Sequence, residues 1–384
     1  MDLTAGMLIL LPALKERFRK RKSVLAKECE KVQSNERQAS WKKEVKFNLK
    51  NATGSHVVYC AIEKAGSTFW KRILQVIDKR NNYTSPLDIK TVDAEYPGDI
   101  FIPMSNDSWD DIVDVTKKHT SIMFVRNPYT RLFSAWLDKF YSMNIPYWRS
   151  VGIQIAQSER NQGNKNCVYD VTFPELVNYV SKSVLSNAWI ERHFSPNFRH
   201  CDPCHLDFDY IGKYETLNDD TSFILDSLNL TKRINLPKDS AEKDAIKDGV
   251  FWAYYQRNDI SKCGISFACA LFRMWQRLQS RGIISKNIPF PFSSKLEAEA
   301  VTMKDFEMTL NIAHGESKKD DIHNNRQESL SQAIRTLPEQ VVRRLQRAFL
   351  LDFKLFNYDI DKSRYMVETD EDYIYFKDCP SNLL

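Results

Sequence analysis

The chain has 384 residues, 42% of them apolar and 27% charged, which is enough for a globular protein with a sizeable core in one large domain or two smaller ones. Its formal net charge of +5 is modest for this length, so general nucleic-acid binding is not implied, while a basic cleft for a sulfated or uronate-bearing polymer stays open. Eight cysteines are spread along the chain and do not by themselves fix a redox compartment.

Near the start, residues 7–14 (MLILLPAL) are apolar but too short to span a bilayer, and Pro12 interrupts them. A basic run over 15–22 follows. Three readings stay open: the end of an anchor whose start is missing, a poor signal sequence, or a capped helix start. The sequence as it stands predicts a soluble chain whose residues 1–50 form a charged, stem-like segment of helical composition.

Residues 56–62 (HVVYCAI) are a β-branched and aromatic run suited to a buried strand, and residues 71–77 (KRILQVI) place apolar side chains at helical spacing. Between them Glu63, Lys64, Ala65, Gly66, Ser67, Thr68, Phe69 and Trp70 make a one-glycine turn that opens the helix. The first N–H groups of a helix have no intrahelical partner and lie at the positive end of its dipole, so this turn predicts an anion site. Lys64 adds a mobile positive charge. The ordinary P-loop places its lysine after a second glycine. Here the lysine comes first and the loop is shorter, which suits a single phosphate or sulfate beside a diphosphate-like linkage better than a triphosphate. A plain strand-to-helix turn remains the alternative at this point.

A second strand is predicted over 121–126 (SIMFVR), stopped by Asn127 and Pro128. The helix after it, 129–141 (YTRLFSAWLDKFY), puts Leu132, Phe133, Trp136, Leu137 and Phe140 on one face. Arg126 then sits at the C-terminal end of a strand, where open α/β sheets bind ligands, with Arg131 and Ser134 on successive turns of the following helix. A guanidinium there suits bidentate contact with a second phosphate.

Further along, a helix is expected over 171–185, a short strand over 209–214, and a loop turning helical over 215–228. Cys201 and Cys204, flanked by His200 and His205, read as disulfide or buried thiols: no second CxxC exists to complete a zinc site, and a redox pair is expected at a helix start after a strand, whereas this one sits in a loop-like stretch. Residues 250–255 and 267–278 (FACALFRMWQRL) have a helical apolar stripe that reads as packing. Residues 303–332 turn polar and are expected to be flexible, and 361–384 form an acidic tail. Sequons stand at Asn51, Asn82, Asn106 and Asn229.

The segments EKAGSTFWKRIL and FVRNPYTRLFSAWLDKF resemble the two nucleotide-binding segments of the Golgi carbohydrate sulfotransferases that act on chondroitin, dermatan and related N-acetylgalactosamine-bearing glycans. In that family the first typically reads P-K-x-[GA]-C-[ST]-N-W and the second R-D-P-[FY]-x-R-L-x-S. Two more blocks, HFSPNFRHCDPCHLDFDYIGKYETLNDD and LPEQVVRRLQRAFLLDFKLFNYD, resemble the same family and follow in its order. The chain departs from the pattern at Glu63 for proline, Ser67 for cysteine, Phe69 for asparagine and Asn127 for aspartate. The resemblance implies an α/β, P-loop-like sulfotransferase fold with a central, mostly parallel sheet flanked by helices. It would occupy 51–360 and hold an insertion at 238–328. It also implies a lumenal, disulfide-bonded Golgi glycoprotein of the kind usually anchored by one membrane helix.

The co-substrate implied is 3′-phosphoadenosine 5′-phosphosulfate (PAPS), with no metal, and the partner is a glycan or glycosaminoglycan acceptor. Glu63, Lys64, Ala65, Gly66, Ser67, Thr68 and Phe69 would bind the 5′-phosphosulfate. Arg126, Asn127, Pro128, Tyr129, Thr130, Arg131, Leu132, Phe133 and Ser134 would bind the 3′-phosphate. Sulfuryl transfer needs a base for the attacking hydroxyl and a charge on the leaving oxygen. Lys64 is the expected cation and His193 the first choice of base, ahead of His119 and Glu215; Arg192 and Arg199 are candidates for contact with an acidic sugar. A glycan-binding protein that keeps the fold without turnover is the alternative, and the absent P-loop disfavours a nucleotide kinase.

Overall fold

Among the described residues five strands, β1 (Leu49–Ala52), β2 (Val57–Cys60), β3 (Phe101–Pro103), β4 (Thr120–Val125) and β5 (Tyr210–Lys213), pair in the order β3-β1-β2-β4-β5. They belong to a computed structural model that describes residues 3–32, 39–52, 55–78, 82–96, 100–160, 166–235, 240–368 and 374–384. The β2–β4 and β4–β5 pairings are parallel, whereas β1 is antiparallel to both β2 and β3. The sheet is therefore mixed, not mostly parallel. The physical reason lies in the connection from Ala52 to Val57, which is too short for the crossover that parallel pairing requires.

Successive residues of β2 and β4 face opposite sides of the sheet, and each side has its own core. Val57, Tyr59, Ile122 and Phe124 join Trp70, Ile73 and Leu74 on one side. Val58, Cys60, Met123 and Val125 join Ile112, Phe208 and Ile211 on the other. Both faces being covered explains why these strands read as unbroken apolar runs. Helix α1 (Leu3–Cys29), α2 (Ala39–Asn48), α3 (Ser67–Ile77), α4 (Thr91–Glu95), α5 (Trp109–Lys118) and α6 (Pro128–Trp136) precede β5.

The chain divides into two compact units. The first comprises Met1–Arg131, Arg192–Lys238 and Phe349–Asp359, and the second Leu132–Glu191, Asp239–Ala348 and Ile360–Leu384. In the first unit, the charged N-terminal segment is docked. Phe18 and Leu25 of α1 are buried in the core, and Cys29 bonds Cys204. The α1 charges are matched by tertiary partners: Arg21 Nη1 donates to Asp220 Oδ2 at 2.6 Å, and Arg17 Nη1 lies 3.2 Å from Asp220 Oδ1. No helix among the described residues is long and apolar enough to cross a membrane.

The second unit is helical. Helix Phe173–Leu185 packs on Glu339–Ala348, and Ser240–Tyr255 packs on Met303–Glu316. Residues 303–332, expected to be flexible, form helices Met303–Glu316 and Lys319–Arg335. Polarity misled the reading because the polar side chains are used inside: Asn325 donates to Ile284 O at 3.2 Å and Ser329 to Ser280 O at 2.8 Å, while Phe306, Leu310 and Ala313 line a buried helical stripe. The acidic C-terminal stretch is stitched to this unit by Cys269–Cys379, and Cys167–Cys263 closes it elsewhere. The 267–278 stripe is packing, with Phe267, Leu271, Trp275 and Leu278 buried. The same expectation fails over 250–255, where Phe251, Trp252 and Tyr255 stand exposed.

Of the sequons, Asn82, Asn106 and Asn229 are exposed. Asn51 lies mid-strand between Val58 and Ile102 of the neighbouring strands and is unsuited to modification in the folded chain.

Asp220 is fully buried and also accepts from Lys213 N at 2.8 Å and Thr216 Oγ1 at 2.7 Å. Removing one partner of a buried ion pair leaves the other uncompensated, at a cost of about 3–5 kcal/mol. Asp220→Ala should therefore lower the urea midpoint of the full chain markedly. An unchanged midpoint would show that α1 is not held through Arg21.

Candidate active site

The site grows from the ends of two adjacent parallel strands. β2 stops at Cys60 and β4 at Val125, so the turns that leave them emerge side by side, as ligand-binding turns do at the carboxyl ends of such sheets. The first turn, residues 63–66, places Lys64 at φ +65° and Gly66 at φ +91°. At Gly66 a Cβ would lie 3.2 Å from Leu217 Cδ1 in a conformation that L side chains avoid, which accounts for the glycine. Gly66 is also the N-cap of α3 and no side chain caps that end, leaving the first-turn N–H groups of α3 to a ligand or solvent. Lys64 occupies the left-handed region without being glycine, a strained choice of order 1 kcal/mol that the surroundings must hold in place.

The holding groups come from the second turn. Arg126 Nη1 donates to Lys64 O at 3.1 Å, and Arg131 Nε donates to Glu63 O at 2.8 Å. Arg126 is 6% exposed; its guanidinium carbon lies 4.1 Å from the Tyr214 ring centroid and its Nε donates to Thr130 Oγ1 at 3.1 Å. Arg131 is 1% exposed and also donates to the carbonyls of Ser195 and of Arg192, the latter at 3.1 Å. This corrects the expectation that Arg131 clamps a phosphate. It is a buried spacer whose fork is spent on three backbone carbonyls.

Asn127 has a similar internal task. Its Oδ1 accepts from Tyr129 N at 3.0 Å and Thr130 N at 3.3 Å, so it caps α6, a role asparagine fills as well as aspartate. Pro128 follows at the first helical position, where its missing N–H costs nothing. Tyr129, Leu132 and Phe133 are buried, and Ser134 is half-buried one turn past Arg131. Tyr129 packs on Phe353, with ring centroids 5.6 Å apart, and Phe133 stacks on Trp136 within its own helix.

Cations gather around the first turn. Lys71 Nζ donates to Glu95 Oε2 at 2.5 Å and Thr68 Oγ1 to Glu95 Oε1 at 3.1 Å. Lys50 is half-buried, and burial, reinforced by the charges of Lys71 and Arg192 and opposed by Glu63 and Glu95, lowers its pKa to about 8. Glu63, the departure that raised the question of repulsion, is 5% exposed and lies 3.3 Å from Arg192 Nε and 3.8 Å from His200 Nδ1. Burial alone would raise its pKa, but His200, His193, Arg192 and Lys71 together hold it at about 2. Phe69, the other departure, packs against the core around Trp70.

His193 is half-buried in the 192–195 turn, within electrostatic reach of Glu63. His119 caps the end of α5 before β4, at the far end of the strands from the site, as its place in the sequence suggested. Glu215 is committed elsewhere, accepting from Asn127 N at 3.0 Å and from the Tyr358 hydroxyl at 2.9 Å. Arg199 is buried and faces Glu44 and Asp352. Cys201 and Cys204 form neither a metal site nor a pair: Cys201 bonds Cys60 and Cys204 bonds Cys29.

Sequence reasoning passed over His200 except as a neighbour of Cys201. It is fully buried, with Nδ1 2.7 Å from Asn48 Nδ2 and Nε2 2.8 Å from Arg192 O. Arg131 Nη2 lies 3.2 Å from the same Nε2, so the imidazole is enclosed by an amide, a carbonyl and a guanidinium. Lys50 and Glu95 were also missed, since a lysine in a short strand and a glutamate in a one-turn helix give no motif.

Comparison with known proteins places this geometry in context. The model of the Sulfotransferase family matches residues 48–249. Carbohydrate sulfotransferase 11 of Mus musculus is 27% identical over 186 residues, covering 47% of this chain and 53% of that protein. Carbohydrate sulfotransferase 11 of Danio rerio is 30% identical over 177 residues, covering 44% and 49%. Carbohydrate sulfotransferase 8 of Homo sapiens is 30% identical over 185 residues, covering 47% and 43%. The chain spans about half the length of the curated relatives it matches. No solved structure matches it.

The Glu63 pairing has a pH signature. Its folded pKa of about 2 lies below the ordinary 4.5, so the stabilisation is complete above 4.5 and is lost as pH falls towards 2. Glu63→Gln should be less stable than the parent at pH 7, and the gap in thermal midpoints should close between pH 4.5 and 2. A gap that stays constant across that window would refute the ion-pair account.

Proposed function

The chain belongs to the sulfotransferase family, and from that premise we propose that it transfers a sulfuryl group from PAPS to a hydroxyl of a glycan. The observation that supports this most is the first turn: a helix start uncapped by side chains, its carbonyls held back by Arg126 and Arg131, with Lys50, Lys64, Lys71 and Arg192 around it. Such a cradle fits a sulfate or phosphate group by backbone N–H donors and surrounding charge. PAPS supplies the sulfuryl group and the nucleotide leaving group.

In this reading the first-turn N–H groups of Ser67, Thr68 and Phe69 hold the 5′ end of the donor, and Lys64 neutralises the charge that grows on its bridging oxygen. Arg126 serves the 3′-phosphate and at the same time keeps the Lys64 carbonyl turned away from the anion. His193 accepts the proton of the acceptor hydroxyl as its oxygen forms the new bond to sulfur. Glu63, paired with Arg192, orients the His193 loop without facing the donor.

The acceptor hydroxyl is assigned to N-acetylgalactosamine in a chondroitin- or dermatan-like chain, on the strength of the four motif blocks and of relatives named carbohydrate sulfotransferases. The fold is read as P-loop-like on the same grounds. Four disulfides suit an oxidising compartment, which for this family is the Golgi lumen.

Two measurements test the reading. Calorimetry with 3′-phosphoadenosine 5′-phosphate should show Lys64→Ala and Arg126→Ala each weakening binding roughly tenfold to a hundredfold, as expected for loss of a charged hydrogen bond. His193→Ala should leave that affinity intact while lowering sulfate transfer to desulfated chondroitin by roughly 10²–10⁴. Unchanged affinity in both cradle variants would sink the proposal.

Lys50 adds a pH dependence. It loses its charge as pH rises through about 8, so nucleotide affinity should fall across that range, and Lys50→Met should flatten the profile. An identical slope in that variant would remove Lys50 from the site.

A further inference from the structure

We propose that the exposed end of the helix Ser240–Tyr255, in the second unit, is a docking stripe for an acidic polysaccharide. The inference rests on the glycan reading above and concerns binding of the polymer by the second unit. Phe251, Trp252 and Tyr255 are 42%, 38% and 71% exposed. Their rings touch one another, with centroids 5.3 Å apart for Phe251–Trp252, 5.9 Å for Phe251–Tyr255 and 5.6 Å for Trp252–Tyr255. Single exposed apolar side chains are ordinary, but three large rings in mutual contact are a patch that the fold does not use. The helix anchors itself through Ile246, Val250 and Ala253, all buried.

Charge completes the stripe. Lys243, Lys247, Phe251 and Tyr255 recur every four residues and so form one ridge, about 18 Å long at the helical rise. Lys243 and Lys247 are both exposed and have no partner among the described residues. Flat aromatic faces stack on the C–H faces of pyranose rings, and ammonium groups spaced along the same ridge meet carboxylates or sulfates at intervals. A sugar polymer with spaced negative charge matches the rings and the two lysines, its anionic groups seated at Lys243 and Lys247 and away from Asp244 and Asp248 on the neighbouring ridge. A membrane surface fits less well, because Asp244 and Asp248 flank the ridge and keep its apolar part narrow. A nucleic acid is disfavoured by the disulfide-rich build.

The test uses the full chain and three variants, Trp252→Ala, Tyr255→Ala and Lys243→Gln with Lys247→Gln. Each is titrated with a desulfated chondroitin decasaccharide, with the corresponding disaccharide, and with 3′-phosphoadenosine 5′-phosphate. The aromatic variants should bind the decasaccharide up to about tenfold more weakly, the lysine variant should lose affinity at low salt only, and nucleotide affinity should not move. Decasaccharide binding equal to the parent in all three variants overturns the proposal. So does Trp252-dependent retention on phosphatidylcholine–phosphatidylserine vesicles without decasaccharide binding, or a parent dimer that Tyr255→Ala makes monomeric. A parent that binds nucleotide but no decasaccharide fails the stripe alone, whereas one that binds decasaccharide but no nucleotide fails the sulfotransferase reading and leaves the stripe standing.

Discussion

Two guanidinium groups on two consecutive backbone carbonyls set the geometry on which everything else at the site depends. Arg131 holds Glu63 O and Arg126 holds Lys64 O. A carbonyl held by a guanidinium cannot turn toward a bound anion, so anchoring these acceptors keeps them out of the cradle, while the Ala65 N–H between them and the helix is spent on Ile62 O at 3.2 Å. Arginine suits the task where lysine would not. Its fork reaches the carbonyls of Glu63, Ser195 and Arg192 together, and its weakly hydrated charge tolerates burial at 1% exposure. The second motif thus shapes the first.

The carboxylates inside this basic region follow from the same constraint. Without them, Lys50, Lys71, Arg126, Arg131 and Arg192 would repel one another across a partly desolvated volume, and the cost would fall on folding. Glu95 ties Lys71 and Thr68, and Glu63 ties Arg192, so some of the cations are spent on structure. Glu63 is ionised because its neighbours are positive, and its neighbours are kept in place because it is ionised. A residue that looks like an obstacle to anion binding in the sequence is, in the fold, a counter-ion.

The legible parts of this chain were those written in local periodicity. Apolar runs gave β2 and β4, and the helical stripes after each turn gave α3 and α6, because short-range side-chain spacing decides those elements. The two turns could also be paired, since parallel neighbours in a sheet present their carboxyl ends together. What could not be read was the division of labour among arginines. Arg126 and Arg131 stand five residues apart in one motif, and only tertiary placement shows that one stacks on Tyr214 while the other is sealed among carbonyls. The helices over 303–335 were hidden for the complementary reason, as their buried serines and asparagine satisfy backbone carbonyls that no local pattern reveals.

The disulfides extend the same logic to the base-bearing loop. Cys60 is the last residue of β2, and its bond to Cys201 fixes the short helix Asn197–Cys201 beside the strand end. Asp352 caps the other end of that helix, accepting from Asn197 N at 2.7 Å and Phe198 N at 2.9 Å. His200, within the helix, then holds Arg192 O, and through it the turn that contains His193. A covalent bond at one end, a buried carboxylate at the other and an imidazole between them leave the loop few ways to move. That loop therefore inherits its position from the strand that also delivers Lys64, so the proposed base and the proposed cation are referred to one rigid origin although His193 stands 129 positions after Lys64 in sequence.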